Sequence, residues 1–130
     1  MIPVFGLDGR LYEVPKLWEL TADLPIFRMP VAQLRFKLDH FTWNDEFGLD
    51  LTPNTVLANP DAHAEHWNCI SSADLSFPIL IFTHATNTEV VDGMHRLARA
   101  LVEKRETIDV RIPSRDIMER AIFVPKKKES

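Results

Sequence analysis

The sequence contains one cysteine, Cys69. A single thiol excludes an intrachain disulfide and fits a reducing compartment, so a cytoplasmic location is expected. Long apolar runs are missing too. None approaches the ~20 residues needed to cross a bilayer, which excludes a spanning helix. Met1–Ile2–Pro3 lacks the positive charge that opens a secretory signal, and no leader is expected. Positive charge is not in excess either: 15 Lys and Arg stand against 19 Asp and Glu, a formal net charge of −4. That balance is wrong for a surface that tracks a nucleic acid. The chain has no internal repeat and no linker that would mark a second domain.

What remains is ordinary globular material. With 130 residues, 45% of them hydrophobic and 26% charged, one domain can bury a real core. Met1–Phe5 and Arg10–Tyr12 flank the turn-rich Gly6–Gly9 and read as a hairpin. Pro15 opens a short helix with Leu17, Trp18 and Leu20 on its apolar side and Trp18 as a packing anchor. Ile26–Met29 reads as a strand and Val31–Leu34 as a turn or short helix. In Leu38–Asp45, Phe41 and Trp43 alternate with polar residues as in a half-buried strand. Asp39, His40 and Trp43 are candidates for one wall of a ligand pocket, with packing by the aromatics as the alternative. Phe47–Asn59 reads as a long loop.

Asn59–Pro60–Asp61 marks a helix start, running to Cys69 or Ile70. His63 and His66 share a face of that helix, but a zinc helix spaces its histidines by four. A solvated or partner-facing pair is expected, with no metal, and Cys69 is expected to be buried and inert. Ile79–Phe82 is the most hydrophobic run, a central strand. Residues 85–88 turn the chain and Glu89–Val91 returns beside it. Thr107–Ile112 alternates as a further strand, and Ser114 caps a last helix that Pro125 ends. Lys126–Ser130 is a charged, disordered tail.

Val90–Leu101 is the stretch around which the rest is organised. A β-branched run stops at Asp92–Gly93, and Leu97, Ala98, Leu101 and Val102 then repeat at helical spacing. Asp92 suits the N-cap of that helix, and Gly93 permits close approach of backbone to a ligand. His95 and Arg96 fall in the first turn, where the helix dipole is already positive. Cationic side chains beside unpaired N–H groups make sense where an anion binds, a phosphate above all. The alternative is a plain Asp–Gly turn with Arg96 paired to Asp92 or Asp74.

Val91–Asp92–Gly93–Met94–His95–Arg96–Leu97–Ala98 resembles the signature of the ParB/sulfiredoxin-like superfamily, whose members bind a nucleotide phosphate at the start of this helix. Phe27–Leu34 is similar to the opening of ParB N-terminal domains, and Ala73–Leu80 to the segment before the central hairpin of small ParB-like proteins. The resemblance thus spans about residues 26 to 112. It implies one α+β domain over residues 1–124, a small mixed sheet with helices packed around it, and a tail at 125–130. It also implies phosphate binding by Gly93, Met94, His95 and Arg96, with ATP, ADP or CTP and Mg²⁺ as the cofactor. The motif is similar to that of a free-serine kinase among these relatives, and it implies catalytic roles for His95 and Asp92.

Two departures set limits. Met94 stands where sulfiredoxins carry their catalytic Cys, and a thioether forms no thiolate, which excludes that activity. ParB partition proteins read Gly–Glu–Arg–Arg here and continue into a helix-turn-helix domain. This chain reads Gly93–Met94–His95–Arg96 with about thirty residues to follow, so centromere binding is not expected.

The residue types assign roles. Backbone N–H groups of Gly93, Met94 and His95 would meet phosphate oxygens, and Arg96 would hold phosphate bidentately. His95 would bind phosphate or transfer a proton. Asp92 would repel phosphate unless a divalent cation sits between them or the carboxylate faces Arg96. Asp39, Asp45 and Glu46 are candidate general bases. The expected function is a nucleotide-dependent phosphotransferase or phosphohydrolase acting on a small molecule. The alternative is a non-catalytic regulatory module that keeps the fold and binds a protein partner. A nuclease has the least support, since no metal-carboxylate cluster is visible. No membrane partner is expected.

Overall fold

The run Ile79–Phe82 is apolar at every position, a pattern a strand needs only where both of its faces are covered. The computed structural model, which describes residues 3–40, 42–45, 47–84 and 87–124, shows this arrangement. In chain order, β1 (Val4–Leu7) and β2 (Arg10–Glu13) form a hairpin. Asp8 and Gly9 join them with φ of 51° and 75°, the left-handed pair that a two-residue hairpin turn requires and Asp–Gly accommodates. Then come α1 (Val14–Thr21), β3 (Phe27–Pro30), α2 (Val31–Leu34) and a 3₁₀ turn, Arg35–Asp39. A small hairpin of β4 (Trp43–Asn44) and β5 (Asp50–Leu51) leads to α3 (Pro53–Ala58), a second 3₁₀ turn (Pro60–His63) and α4 (Ala64–Ser72). The remaining elements are β6 (Ile79–His84), β7 (Asn87–Asp92), α5 (Met94–Val102), β8 (Thr107–Arg111) and α6 (Arg115–Arg120).

The protein is α+β, with a four-stranded mixed sheet in the order β3-β8-β6-β7. β6 runs antiparallel to β7 and parallel to β8, which is antiparallel to β3. Side chains on a strand alternate between faces, and β6 divides its residues accordingly. Ile79 and Ile81 enter one core with Leu34, Leu38, Leu97 and Val110. Leu80 and Phe82 enter another with Tyr12, Leu17 and Met118. Helices α2 to α5 therefore cover one face, while α1, α6 and the first hairpin cover the other. β7 is an edge strand, and it carries a bulge: Leu80 pairs with Asp92 and Ile81 with Val90, leaving Val91 extra. Bulges re-aim the residues beside them, and this one lies immediately before Asp92–Gly93.

Several expectations need correction. Phe47–Asn59 is not one long loop: it holds β5 and α3. Thr52 Oγ1 accepts from the Thr55 N–H at 3.2 Å and caps α3, with Pro53 at the helix start and Val56 fully buried. Leu38 and Asp39, which precede the strand at Trp43–Asn44, close a 3₁₀ turn, and Leu38 enters the core. Asn59 precedes a 3₁₀ turn without a side-chain cap, and the helix behind it extends to Ser72. Asn87 and Thr88 belong to β7 rather than to a turn. Cys69 is exposed, because α4 turns the adjacent Ile70 inward instead. Ser114 does cap α6, accepting from the Ile117 N–H at 3.2 Å. Phe41, Glu46, Ala85, Thr86 and the tail at 125–130 lie outside the described residues. Among the described residues no helix is long and apolar enough to cross a membrane.

Candidate functional site

A cleft of about 1130 Å³ crosses the edge strand β7. Its walls come from both sides of the sheet: Trp18 of α1 on one, Lys37, His40 and Trp43 on the other, with Glu89 and His95 between. An edge strand makes this arrangement available, since no further strand closes the sheet on that side. The volume slightly exceeds the usual range for small-ligand pockets, roughly 300–1,000 Å³.

At one end of the cleft α5 begins. Its N-cap is Gly93, not Asp92, and no side chain caps the helix. Gly93 has φ 116°, a conformation L side chains rarely adopt, and a Cβ there would come within 2.7 Å of the Ile79 Cβ. The chain must therefore carry glycine at this turn. The helix is amphipathic: Met94, Leu97, Ala98 and Ala100 are buried. N–H groups of a first helical turn have no partner within the helix, and the Gly93–Met94–His95 segment that carries them lines the cleft.

Asp92 ends β7 instead of capping α5. Its Oδ2 accepts from Trp18 Nε1 at 2.8 Å and from Arg96 Nη2 at 3.0 Å. Arg96 Nη1 also donates to the carbonyls of Phe77 (3.2 Å) and Pro78 (2.7 Å). The guanidinium is thus committed to protein acceptors and ties α5 to the entry of β6, rather than standing free for a bidentate phosphate contact. Trp18, expected as a core anchor, is 51% exposed. Leu17 takes the core position, and the Trp18 indole serves as a donor to Asp92.

His95 is half-buried and belongs to a stack. Its ring lies 4.4 Å from that of Trp43 at 12°, and the His66 ring lies 4.6 Å from Trp43 at 9°. The two imidazoles are 5.7 Å apart and nearly parallel. His66 Nδ1 is 3.4 Å from His95 Nε2, and His66 Nε2 is 2.9 Å from the Asn44 carbonyl. Burial lowers the pKa of His95 below its ordinary 6.5; the adjacent His66 adds to the fall, and Asp92 opposes it. His95 is therefore held neutral at neutral pH.

Further along the cleft, Lys37 is 8% exposed, and its Nζ donates to Glu89 Oε2 at 2.9 Å. His40 Nδ1 lies 3.4 Å from the same Nζ. A lysine so nearly buried needs such a partner.

Of the residues singled out in the sequence, Asp92, Gly93, Met94, His95, Arg96, His40 and Trp43 all line the cleft. Asp39 does not; it accepts a hydrogen bond from Asn54. Asp45 accepts the Phe47 and Leu49 N–H groups, both at 2.9 Å, and so shapes a turn. Three cleft residues escaped the sequence reading, and so did His66, which stacks on the cleft residue Trp43 without lining the cleft itself. Trp18 and Lys37 sit in apolar surroundings (Leu17–Trp18, Phe36–Lys37–Leu38) that hide a polar role. Glu89 opens an apolar strand run. His66 gives a signal, a histidine on the helix α4, but as half of a solvated or partner-facing pair with His63 it predicts no stacking on Trp43. His63 does not line the cleft, and among the described residues no group of three or more metal-ligating side chains occurs. Comparison with known proteins gives no match: no family model fits the chain, and no curated protein or solved structure matches it.

Proposed function

We propose that the cleft binds the phosphate of a nucleotide and that the chain is a small nucleotide-dependent phosphotransferase or phosphohydrolase of the ParB/sulfiredoxin-like type. One observation carries the reading: an uncapped helix start, Gly93–Met94–His95, lines a cleft of about 1130 Å³ that also holds a neutral histidine and a lysine. Uncapped N–H groups and the positive end of the dipole suit a phosphate. A neutral imidazole suits removal of a proton from a hydroxyl or a water as the phosphoryl group is attacked. Lys37 adds positive charge in the same cleft, offset by Glu89.

Arg96 offsets the charge of the Asp92 carboxylate and Trp18 donates to it, which supports a phosphate beside it without a cation between them. A nucleotide carrying Mg²⁺ would meet the Asp92 carboxylate in the cleft as an oxygen ligand, with the nucleotide phosphates supplying others. ATP, ADP or CTP fits the charge requirement equally.

A second reading has its own observation. Asp92 and Arg96 pair with each other and with neighbouring protein groups, as a motif would in a module that keeps the fold and binds a protein partner without turnover. Purified protein titrated with ATP, ADP, CTP and GTP, each with and without Mg²⁺, tests the primary reading. At a hundred times Kd, a bound nucleotide raises the melting temperature by roughly 10 °C for a domain of this size. No rise with any nucleotide at millimolar concentration overturns the phosphate site. His95→Gln then separates the two readings: an enzyme keeps its nucleotide shift and loses turnover, whereas the module shows no turnover to lose.

A further inference from the structure

The contacts of His66 constrain more than its own position. A backbone carbonyl can only accept, so the 2.9 Å contact between His66 Nε2 and the Asn44 carbonyl requires a proton on that nitrogen. In neutral His66 the other nitrogen, Nδ1, then carries a lone pair. That lone pair faces His95 Nε2 at 3.4 Å. Two lone pairs facing each other would repel, so His95 carries its own proton on Nε2. The consequence falls on the far side of the ring. His95 Nδ1 is left bare, and among the described residues no protein group donates to it.

Trp43 makes this chain rigid. Both imidazoles lie nearly parallel to the indole, at 9° and 12°, which holds their planes together and keeps the nitrogens edge to edge. The hairpin that carries Trp43 also supplies the Asn44 carbonyl, so one short element sets both the planes and the direction of the hydrogen bonds.

We infer that His66 is a positioning residue: anchored by the Asn44 carbonyl, it holds His95 in the Nε2–H tautomer and makes Nδ1 the nitrogen that accepts a proton from a ligand in the cleft. This rests on the reading of His95 as a proton acceptor given above. The step is a simple transfer. The ligand O–H bond breaks, its electron pair stays on the oxygen, and an Nδ1–H bond forms. The resulting imidazolium still donates through Nε2 to His66 Nδ1, and the face of Trp43 favours the new charge. His66 need not touch the ligand to do this.

Long-range ¹⁵N–¹H correlation of the histidine rings at neutral pH reads the tautomer directly in the whole, ligand-free protein. Wild type is expected to show His95 protonated at Nε2 and bare at Nδ1, and His66 likewise. His66→Phe keeps a ring against Trp43 but removes both nitrogens. The His95 tautomer ratio should then fall by roughly three- to tenfold, the equivalent of about one neutral hydrogen bond. His66→Asn, which restores an acceptor, should recover the ratio in part. A purely structural His66 would leave the ratio unchanged in both variants. A wild-type His95 protonated at Nδ1 overturns the inference without any variant having to fold, as does an unchanged ratio in folded His66→Phe. Absence of nucleotide binding, by contrast, removes the proposed function and leaves the tautomer readout intact, so the two failures are told apart.

Discussion

His95 is held in its neutral form by its surroundings, and that has a measurable consequence for stability. Burial, the largest cause, and the neighbouring His66 both lower its pKa below 6.5 in the folded chain, while Asp92 opposes the shift. Below 6.5 the unfolded chain takes up a proton that the folded chain still refuses. Stability rises with pH wherever the unfolded state binds more protons. The contribution of neutral His95 is therefore complete above 6.5 and is lost as pH falls from there through the depressed folded value. Denaturant midpoints of wild type and His95→Gln between pH 4 and 8 should diverge in this window, roughly that of an ordinary histidine and below, with the shallower acid loss in the variant. Parallel curves would mean that His95 titrates alike in both states.

At the same scale the motif residues were readable and their partners were not. Asp92, Gly93 and His95 announce themselves by type and order at a strand–helix junction. The roles of Trp18, Lys37 and His66 depend on what lies opposite them across the sheet, 74 residues away in the case of Trp18 and Asp92. Composition and periodicity carry no such information. The expectation that Asp92 caps α5 failed for a related reason: Gly93 with φ 116° occupies the cap position, and the carboxylate is drawn to the indole and guanidinium instead.

Among the elements, the junction of β7 and α5 is the most constrained. The bulge at Val91 and the left-handed Gly93 turn the chain within three residues, and Ile79 of β6 lies against the turn. Gly93→Ala would add left-handed strain of about 1–3 kcal/mol and overpacking against Ile79 of similar size. A loss of about 2–6 kcal/mol is expected in urea denaturation, because the clash falls on the Ile79 Cβ, which cannot move without its backbone. A change below ~1 kcal/mol would show that the turn can rearrange, and would weaken the case for a fixed helix start as the phosphate site. The strands β6 and β8 and the helices α5 and α6 were legible because each is long enough to show its period or bears a capping residue. The β4–β5 hairpin was not: two-residue strands have no period, and only the tertiary contacts of Trp43 explain why the chain is extended there.

For the molecule as a whole, the sheet separates two cores, and the cleft is where the two layers communicate around the edge of β7. Asp92 is the meeting point. Trp18 reaches its Oδ2 from the α1 side and Arg96 from the α5 side, and each donor partly desolvates the carboxylate that the other needs. Trp18→Phe should cost about 1 kcal/mol, since half of the side chain is in water and only the donated hydrogen bond is lost. Arg96→Met should cost more, because the Phe77 and Pro78 carbonyls lose their donor as well. Two donors on one oxygen are not independent, so the double variant should depart from the sum by at least ~0.5 kcal/mol, the scale of coupling between residues that share a partner. Chemical denaturation of the four proteins measures this difference. Strict additivity would mean that Asp92 does not link the layers, and that the helices on the two faces of the sheet meet the site separately. A clear coupling would show that the two layers are joined energetically through one carboxylate.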